Sequence, residues 1–359
     1  MSHKAIIFPA LGAKLEVISV PTPALRDDHV QVAPDYVSPA PIDVWQGHHG
    51  IFATFPVIPC GSLVGTIIAA GSEVTHVKKG DRIVANVFGP QEQKAAQAIV
   101  TIPGNRVGKL PKNVDSVAAV TSLGLVPVFH SVTSKSNGLG LRLRTGLPNE
   151  DFPPLSAEEQ GKRILIWGGS SATGQFAVQM LAFTGYRNII ATASPKHHDY
   201  IRSLGASKAV DYNSPEFARE IGEVDLVLDF VANRKETIPR IAKVVRNDPA
   251  SKVAIFVPIK SGGRSASNLG VELEKDALPN KVQVILVTSH IYEQNPFLKS
   301  HLQTEIVPGL LGQGAVKPLR AKVIEGSSSV EALNKAVALL KDGVVSGEKL
   351  VVDVMDLQN

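Results

Sequence analysis

Ile164-Leu165-Ile166-Trp167 is a short apolar run that empties into Gly168-Gly169-Ser170-Ser171-Ala172-Thr173-Gly174, after which Gln175 to Leu181 continues with helical character. No other stretch constrains the fold as strongly. A strand, a glycine-rich turn and a helix in that order aim backbone N–H groups and the positive end of a helix dipole at one point, the arrangement that receives a pyrophosphate. A glycine-rich turn alone is a weak sign, and its weight here comes from its surroundings. From about residue 160 strand-like and helical runs alternate. Arg163–Trp167, Asn188–Thr192, Val224–Phe230, Lys252–Val257 and Val282–Val287 read as strands, and the segments to Thr184, Lys196–Leu204 and Arg234–Arg246 read as helices. Such alternation predicts an α/β unit with a doubly wound parallel sheet.

The first 125 or so residues have a different rhythm. Lys4–Phe8, Leu15–Val20, Val30–Val37, Leu63–Ala70, Asp81–Val87 and Gln97–Ile102 are short strand-like runs punctuated by Gly and Pro, the pattern of an all-β, barrel-like domain. Ser134–Gly161 reads as an unusually long surface loop or linker, and Lys260–Pro279 as an aperiodic, mobile excursion. Near the end, Val330, Leu333, Ala336, Val337 and Leu340 share one helical face, Gly343 follows as a stop, and Lys349–Val354 reads as a closing strand. The expected division is 1–125, 126–310 and 311–359.

A chain of 359 residues is too long for one ordinary core, and 44% hydrophobic with 19% charged residues excludes a disordered polypeptide. The formal charge of +4 comes without a dense Lys/Arg block, so no nucleic-acid partner is expected. The N-terminus lacks a secretory pattern, no apolar run is long enough to span a membrane, and Cys60 is the single cysteine. A soluble cytoplasmic protein is the expectation.

An NAD site usually places a carboxylate about 20 residues after the phosphate loop to hold the ribose hydroxyls. Here that stretch reads Ala191-Thr192-Ala193-Ser194-Pro195-Lys196-His197. With no carboxylate to repel a 2′-phosphate, a serine to hydrogen-bond it and a lysine to neutralise it, NADPH is favoured. The candidate cofactor residues are therefore Gly169, Ser170, Ser171, Ala172, Thr173, Gly174, Ser194, Lys196 and His197. The plainer alternatives are a solvated charge for Lys196 and a surface histidine for His197. No metal site is expected: one cysteine cannot build a four-cysteine zinc cluster, and the adjacent pairs His48-His49 and His197-His198 diverge.

These residues resemble the medium-chain dehydrogenase/reductase superfamily, and more narrowly its zinc-independent quinone oxidoreductases and fungal trans-acting enoyl reductases of the ToxD-like kind. Besides the phosphate loop, the resemblance is carried by Ala193-Ser194-Pro195-Lys196, Leu204-Gly205-Ala206, Asp211-Tyr212 and the ending Ser346-Gly347-Glu348-Lys349-Leu350-Val351-Val352. Weaker matches lie at Pro41-Ile42-Asp43, Gly65 to Val74 and Gly80-Asp81-Arg82-Ile83. The resemblance implies a GroES-like β-barrel domain, a Rossmann domain, and a C-terminal segment returning to the first. It also implies an active site in the cleft between the domains, and hydride transfer from NADPH to the β-carbon of an α,β-unsaturated carbonyl. The implied substrate is an enoyl thioester, enone or quinone, free or carrier-protein bound, and the implied partner is a polyketide synthase in fungal secondary metabolism. It adds Tyr212 and Lys349 as cofactor positions, and Asp229, Phe230, Val231, Phe256, Val257 and Pro258 at the nicotinamide end, with simple core packing as the alternative for Phe230, Phe256 and Val257.

The chain departs from this family where chemistry is expected. Ala40-Pro41 replaces Asn-Pro, Trp45 stands where a Lys or Tyr follows Asp43, Val126 replaces a Thr near the nicotinamide, and Ser62 replaces an Asp. Asp43, Trp45 and Val126 are thus the candidate catalytic positions. Two other functions stay open: a partner-binding protein that keeps the fold without turnover, and a non-redox cyclase or rearrangement enzyme with Trp45 and Phe52 shaping an apolar pocket.

Overall fold

The structure is a computed structural model that describes residues 1–261 and 269–358. It contains two compact units: Met1–Leu123 joined by the chain from Glu293 onward, and Gly124–Tyr292. The boundaries read from sequence were 125/126 and 310/311; the chain rejoins the first unit earlier, at Glu293, for a visible reason. The Arg106 guanidinium grips the Glu293 carboxylate with two bonds, 2.8 and 3.0 Å. The Gln303 side-chain carbonyl then accepts the backbone N–H of Asn86 at 2.8 Å.

In the first unit, Ser2–Ile7 and Glu16–Pro21 form an antiparallel pair. A larger sheet runs in the order Arg320–Val323, Glu348–Asp353, His29–Val37, Ser62–Ala70, Arg82–Asn86, Val107–Lys109, with Val100–Pro103 also paired to His29–Val37. The inward residues Ile6, Val32, Leu63, Ile67, Ile83, Ile102 and Val352 are buried in one core. Full burial of each such side chain contributes about 1.5–3 kcal/mol before chain entropy is counted. The expected C-terminal helix spans Ser329–Lys341, capped by the Ser328 hydroxyl, and Gly343 follows at φ 66.

The first unit holds a helix that the strand-like reading passed over, Pro41–His49. Proline at its first position has no N–H to waste there, and Asp43 at its third reaches back to the Ala40 N–H.

The second unit is a six-stranded parallel sheet. Its strands are β1 (Arg163–Trp167), β2 (Asn188–Thr192), β3 (Lys208–Val210), β4 (Leu226–Asp229), β5 (Lys252–Phe256) and β6 (Gln283–Val287), in the spatial order 3-2-1-4-5-6. This is the doubly wound order that places a crevice at the carboxyl ends of the strands. Helix α1 (Ala172–Thr184) follows β1 directly. All four residues Ile164 to Trp167 are buried, as expected of a strand covered on both faces.

Three expectations need correcting. The helical segment expected at Arg234–Arg246 reduces to Thr237–Ile241, which contains Pro239. β3 has three residues, too few to show periodicity in the sequence. The expected linker 134–161 is built into the unit: Arg142 holds Glu159 at 3.0 and 2.9 Å, and Ser156 and Glu159 close a capping box on Ala157–Gly161. In the excursion 260–279, Ile259–Lys260 pairs antiparallel with Leu269–Gly270, and residues 262–268 lie outside the described residues. Among the described residues, no helix is long and apolar enough to cross a membrane.

Candidate cofactor site

The turn after β1 is locked to β2. The Thr192 hydroxyl accepts the Gly168 N–H at 3.0 Å, and the Thr192 carbonyl accepts the Gly169 N–H at 2.8 Å. Gly168 sits at φ 86, which disfavours any side chain. A Cβ on Gly174 would lie 2.2 Å from the Gly168 carbonyl oxygen, so this close return of the helix to the strand requires glycine. The Ser171 hydroxyl caps α1 by accepting the Gly174 N–H at 3.0 Å. The α1 first-turn N–H groups of Ala172 and Thr173 have no acceptor inside the helix, and the dipole behind them favours an anion at this end. Ser170, Ser171, Ala172 and Thr173 are all partly exposed. The loop therefore fits a pyrophosphate by shape, donors and charge.

Beyond β2, the Ser194 and Tyr212 hydroxyls lie 3.0 Å apart, brought together from the ends of β2 and β3. Lys196 is exposed beside them, on a short turn starting at Pro195, whereas His197 is buried at 7% exposure. A surface histidine is thus ruled out. Ser194 and Tyr212 form a polar contact at the ends of β2 and β3, with exposed Lys196 two residues on in the chain and His197 buried.

On the other side of β1, Asp229 ends β4 fully buried. One carboxylate oxygen accepts the N–H groups of Val231 and Ala232 at 3.0 and 2.9 Å, and the other accepts the Thr237 hydroxyl at 2.5 Å. Burial pushes the Asp229 carboxyl up while these donors oppose it. The three bonds hold Ala232 at φ 50, an uncommon conformation for a residue with a Cβ. Phe230 and Phe256 stack obliquely with centroids 4.7 Å apart, and they and Val257 are partly exposed, so they are rim residues rather than closed core.

Val126 is buried in the helix Leu125–Thr133 of the second unit. Asp43, Trp45 and Lys349 belong to the first unit. Asp43 is buried with both oxygens occupied, by the Ala40 N–H at 2.7 Å and the Cys60 N–H at 2.8 Å, so it caps the helix and braces the Cys60 loop. Lys349, placed at the cofactor by resemblance, donates to the Pro39 carbonyl at 3.0 Å, and desolvation holds its ammonium below the usual lysine range. Trp45 is half-buried on the Pro41–His49 helix. Sequence reasoning missed the Thr192 clamp and the Asp229–Thr237 brace. A β-branched hydroxyl at the end of β2, and a carboxylate eight residues before a threonine, were the available signals.

Among the described residues, no three His, Cys, Asp or Glu side chains gather in a metal-holding group.

Residues 26–114 match the alcohol dehydrogenase GroES-like domain. Over 362 residues, 98% of each chain, the sequence is 28% identical to the trans-enoyl reductase ACTTS2 of Alternaria alternata. Over 237 residues, 61% of this chain and 60% of the other, it is 32% identical to lovC, the enoyl reductase component of the lovastatin nonaketide synthase of Aspergillus terreus. Among solved structures, the CurK enoyl reductase superposes with a TM-score of 0.71 over 98% of this chain and 99% of that one at 19% identity, a likeness of fold. With a GroES-like first unit and a doubly wound second, the chain is similar in sequence to fungal trans-enoyl reductases and in fold to enoyl reductases and quinone oxidoreductases.

Proposed function

We propose that the chain is an NADPH-dependent reductase acting on the activated C=C bond of an α,β-unsaturated carbonyl, with an enoyl thioester as its principal substrate class. The observation that carries the cofactor reading is the Ser194–Tyr212 hydroxyl pair beside exposed Lys196, on a sheet edge with no carboxylate at the end of β2. NADPH would supply the hydride. The chain's own residues do the rest: the first turn of α1 receives the pyrophosphate, Ser194 and Tyr212 donate to the 2′-phosphate, and Lys196 neutralises it. Asp229 fixes the β4 rim so that the nicotinamide is held in one orientation, which is the main service a protein gives to hydride transfer.

Reduction leaves an enolate that needs a proton. The indole of Trp45 donates hydrogen bonds but is no acid at neutral pH, so the proton comes from water or another group. The kinship with trans-enoyl reductases supports a polyketide synthase as partner, presenting the substrate on a carrier protein.

The test is consumption of NADPH, followed at 340 nm, with a short enoyl thioester and a small enone. Stoichiometric conversion to the saturated product supports the reading. Product formed without NADPH loss marks a rearrangement or cyclisation, and NADPH binding without any product marks a partner protein.

A further inference from the structure

Among the described residues, β6 is an edge strand, bonded to β5 alone. The Val287 carbonyl faces β5 and accepts the Val257 N–H at 3.1 Å, so the Leu286 carbonyl and the Thr288 N–H point the opposite way. Both are met by one side chain, that of Asn137. Its Nδ2 donates to the Leu286 carbonyl at 2.7 Å, and its Oδ1 accepts the Thr288 N–H at 2.9 Å. A primary amide offers one donor and one acceptor side by side, as a peptide group does, so Asn137 pairs with this end of the edge as a neighbouring strand would.

The amide is itself held. His130 Nε2 donates to Asn137 Oδ1 at 2.9 Å, and the Asn137 N–H is taken by the Ser134 hydroxyl at 3.0 Å. Burial keeps the His130 ring below its usual pKa, which leaves it neutral with its proton on Nε2. His130 stands one helical turn after Val126 on Leu125–Thr133.

In a doubly wound sheet a dinucleotide lies across the carboxyl ends of the strands. With the pyrophosphate on the β1 turn and the adenosine end on β2 and β3, the nicotinamide half must lie over the ends of β4, β5 and β6. We infer that Asn137, braced by His130, is a positioning residue for that half, fixing the Leu286–Thr288 rim on which it rests. This rests on the dinucleotide reading given above.

The experiment compares two ligands by calorimetry on the intact chain: NADPH, and adenosine 2′,5′-bisphosphate, which carries only the adenosine end. Asn137→Leu keeps the branched outline and heavy-atom count and removes both bonds; Asn137→Asp keeps the acceptor alone. Asn137→Leu should weaken NADPH about tenfold, about 1.4 kcal/mol, while bisphosphate affinity stays within about twofold. Asn137→Asp should fall between, and amide exchange at Thr288 should accelerate in Asn137→Leu, which loses the acceptor, and not in Asn137→Asp, which keeps it. Unchanged NADPH affinity, or equal weakening of both ligands, overturns the inference while leaving the dinucleotide reading intact. Failure of the unaltered chain to bind either ligand overturns that reading and this inference with it.

Discussion

The Asp43 carboxylate accepts the backbone N–H of Cys60 at 2.8 Å, and Cys60 holds φ 70 with its thiol buried. One carboxylate thus ties the start of the helix Pro41–His49 to the loop leading into the strand Ser62–Ala70. Asp43→Ala strands the N–H groups of Ala40 and Cys60, and since an unsatisfied buried donor costs about 1–3 kcal/mol, the first unit should lose about 3 kcal/mol. NADPH affinity should be unchanged. Urea unfolding with a calorimetric titration checks both, and a fully stable Asp43→Ala variant with lost turnover would restore Asp43 as a catalytic candidate.

Glu159 gives a pH dependence with a definite sign. The Arg142 guanidinium, helped by the Ser156 N–H, holds its carboxyl at about 2, below the usual 4.5. Because the folded value is depressed, the stabilisation is fully present above pH 4.5 and drains away as pH falls toward 2. Glu159→Gln should flatten that acid limb of the stability curve while changing little else. Denaturant midpoints measured across that range decide, and an unaltered limb refutes the assignment.

Lys196 should set nucleotide choice. NADPH is expected to bind about tenfold more tightly than NADH, a gap of about 1.4 kcal/mol, and Lys196→Ala should erase most of it by weakening NADPH alone. Equal affinities in the unaltered chain would end the idea.

At Gly174 the clash is with backbone, which cannot swing aside. Gly174→Ala should abolish dinucleotide binding and destabilise the second unit by about 2–3 kcal/mol, on the scale of overpacked cores. Retained NADPH affinity in that variant would show that the β1 turn is not the phosphate site.

Trp45→Phe should keep most enone reduction, whereas Trp45→Ala should loosen substrate selection more than it slows turnover with a small enone. The indole is a large flat wall, and phenylalanine keeps most of that surface. Loss of turnover in Trp45→Phe with normal folding and NADPH affinity would give the indole N–H an essential part.

What was legible in the sequence was what depends on neighbours in the chain. The β1 turn, α1 and the missing carboxylate after β2 are local patterns, and the structure builds them as read. The Ser194–Tyr212 contact joins residues 18 apart through the pairing of β2 with β3, and without the family resemblance no pattern points to it. Asn137 lay inside what looked like a polar linker, because a side chain that replaces a strand leaves no periodic trace. The bond from Lys349 to the Pro39 carbonyl, 310 residues away, leaves no local trace for a related reason. The Pro41–His49 helix was overlooked although Pro41 and Asp43 are ordinary start signals, because the neighbouring runs set an expectation of strands.

The first unit's main sheet pairs Glu348–Asp353 with His29–Val37, so a strand made among the last residues completes a sheet begun among the first. The second unit uses one uninterrupted stretch, Gly124–Tyr292. During synthesis the second unit can therefore mature once Tyr292 has emerged, whereas the other waits with its apolar strand edge unpaired until Glu348–Asp353 follows. Truncation before Glu348 would yield a polypeptide whose second unit still closes yet is marked for quality control by the half that never does.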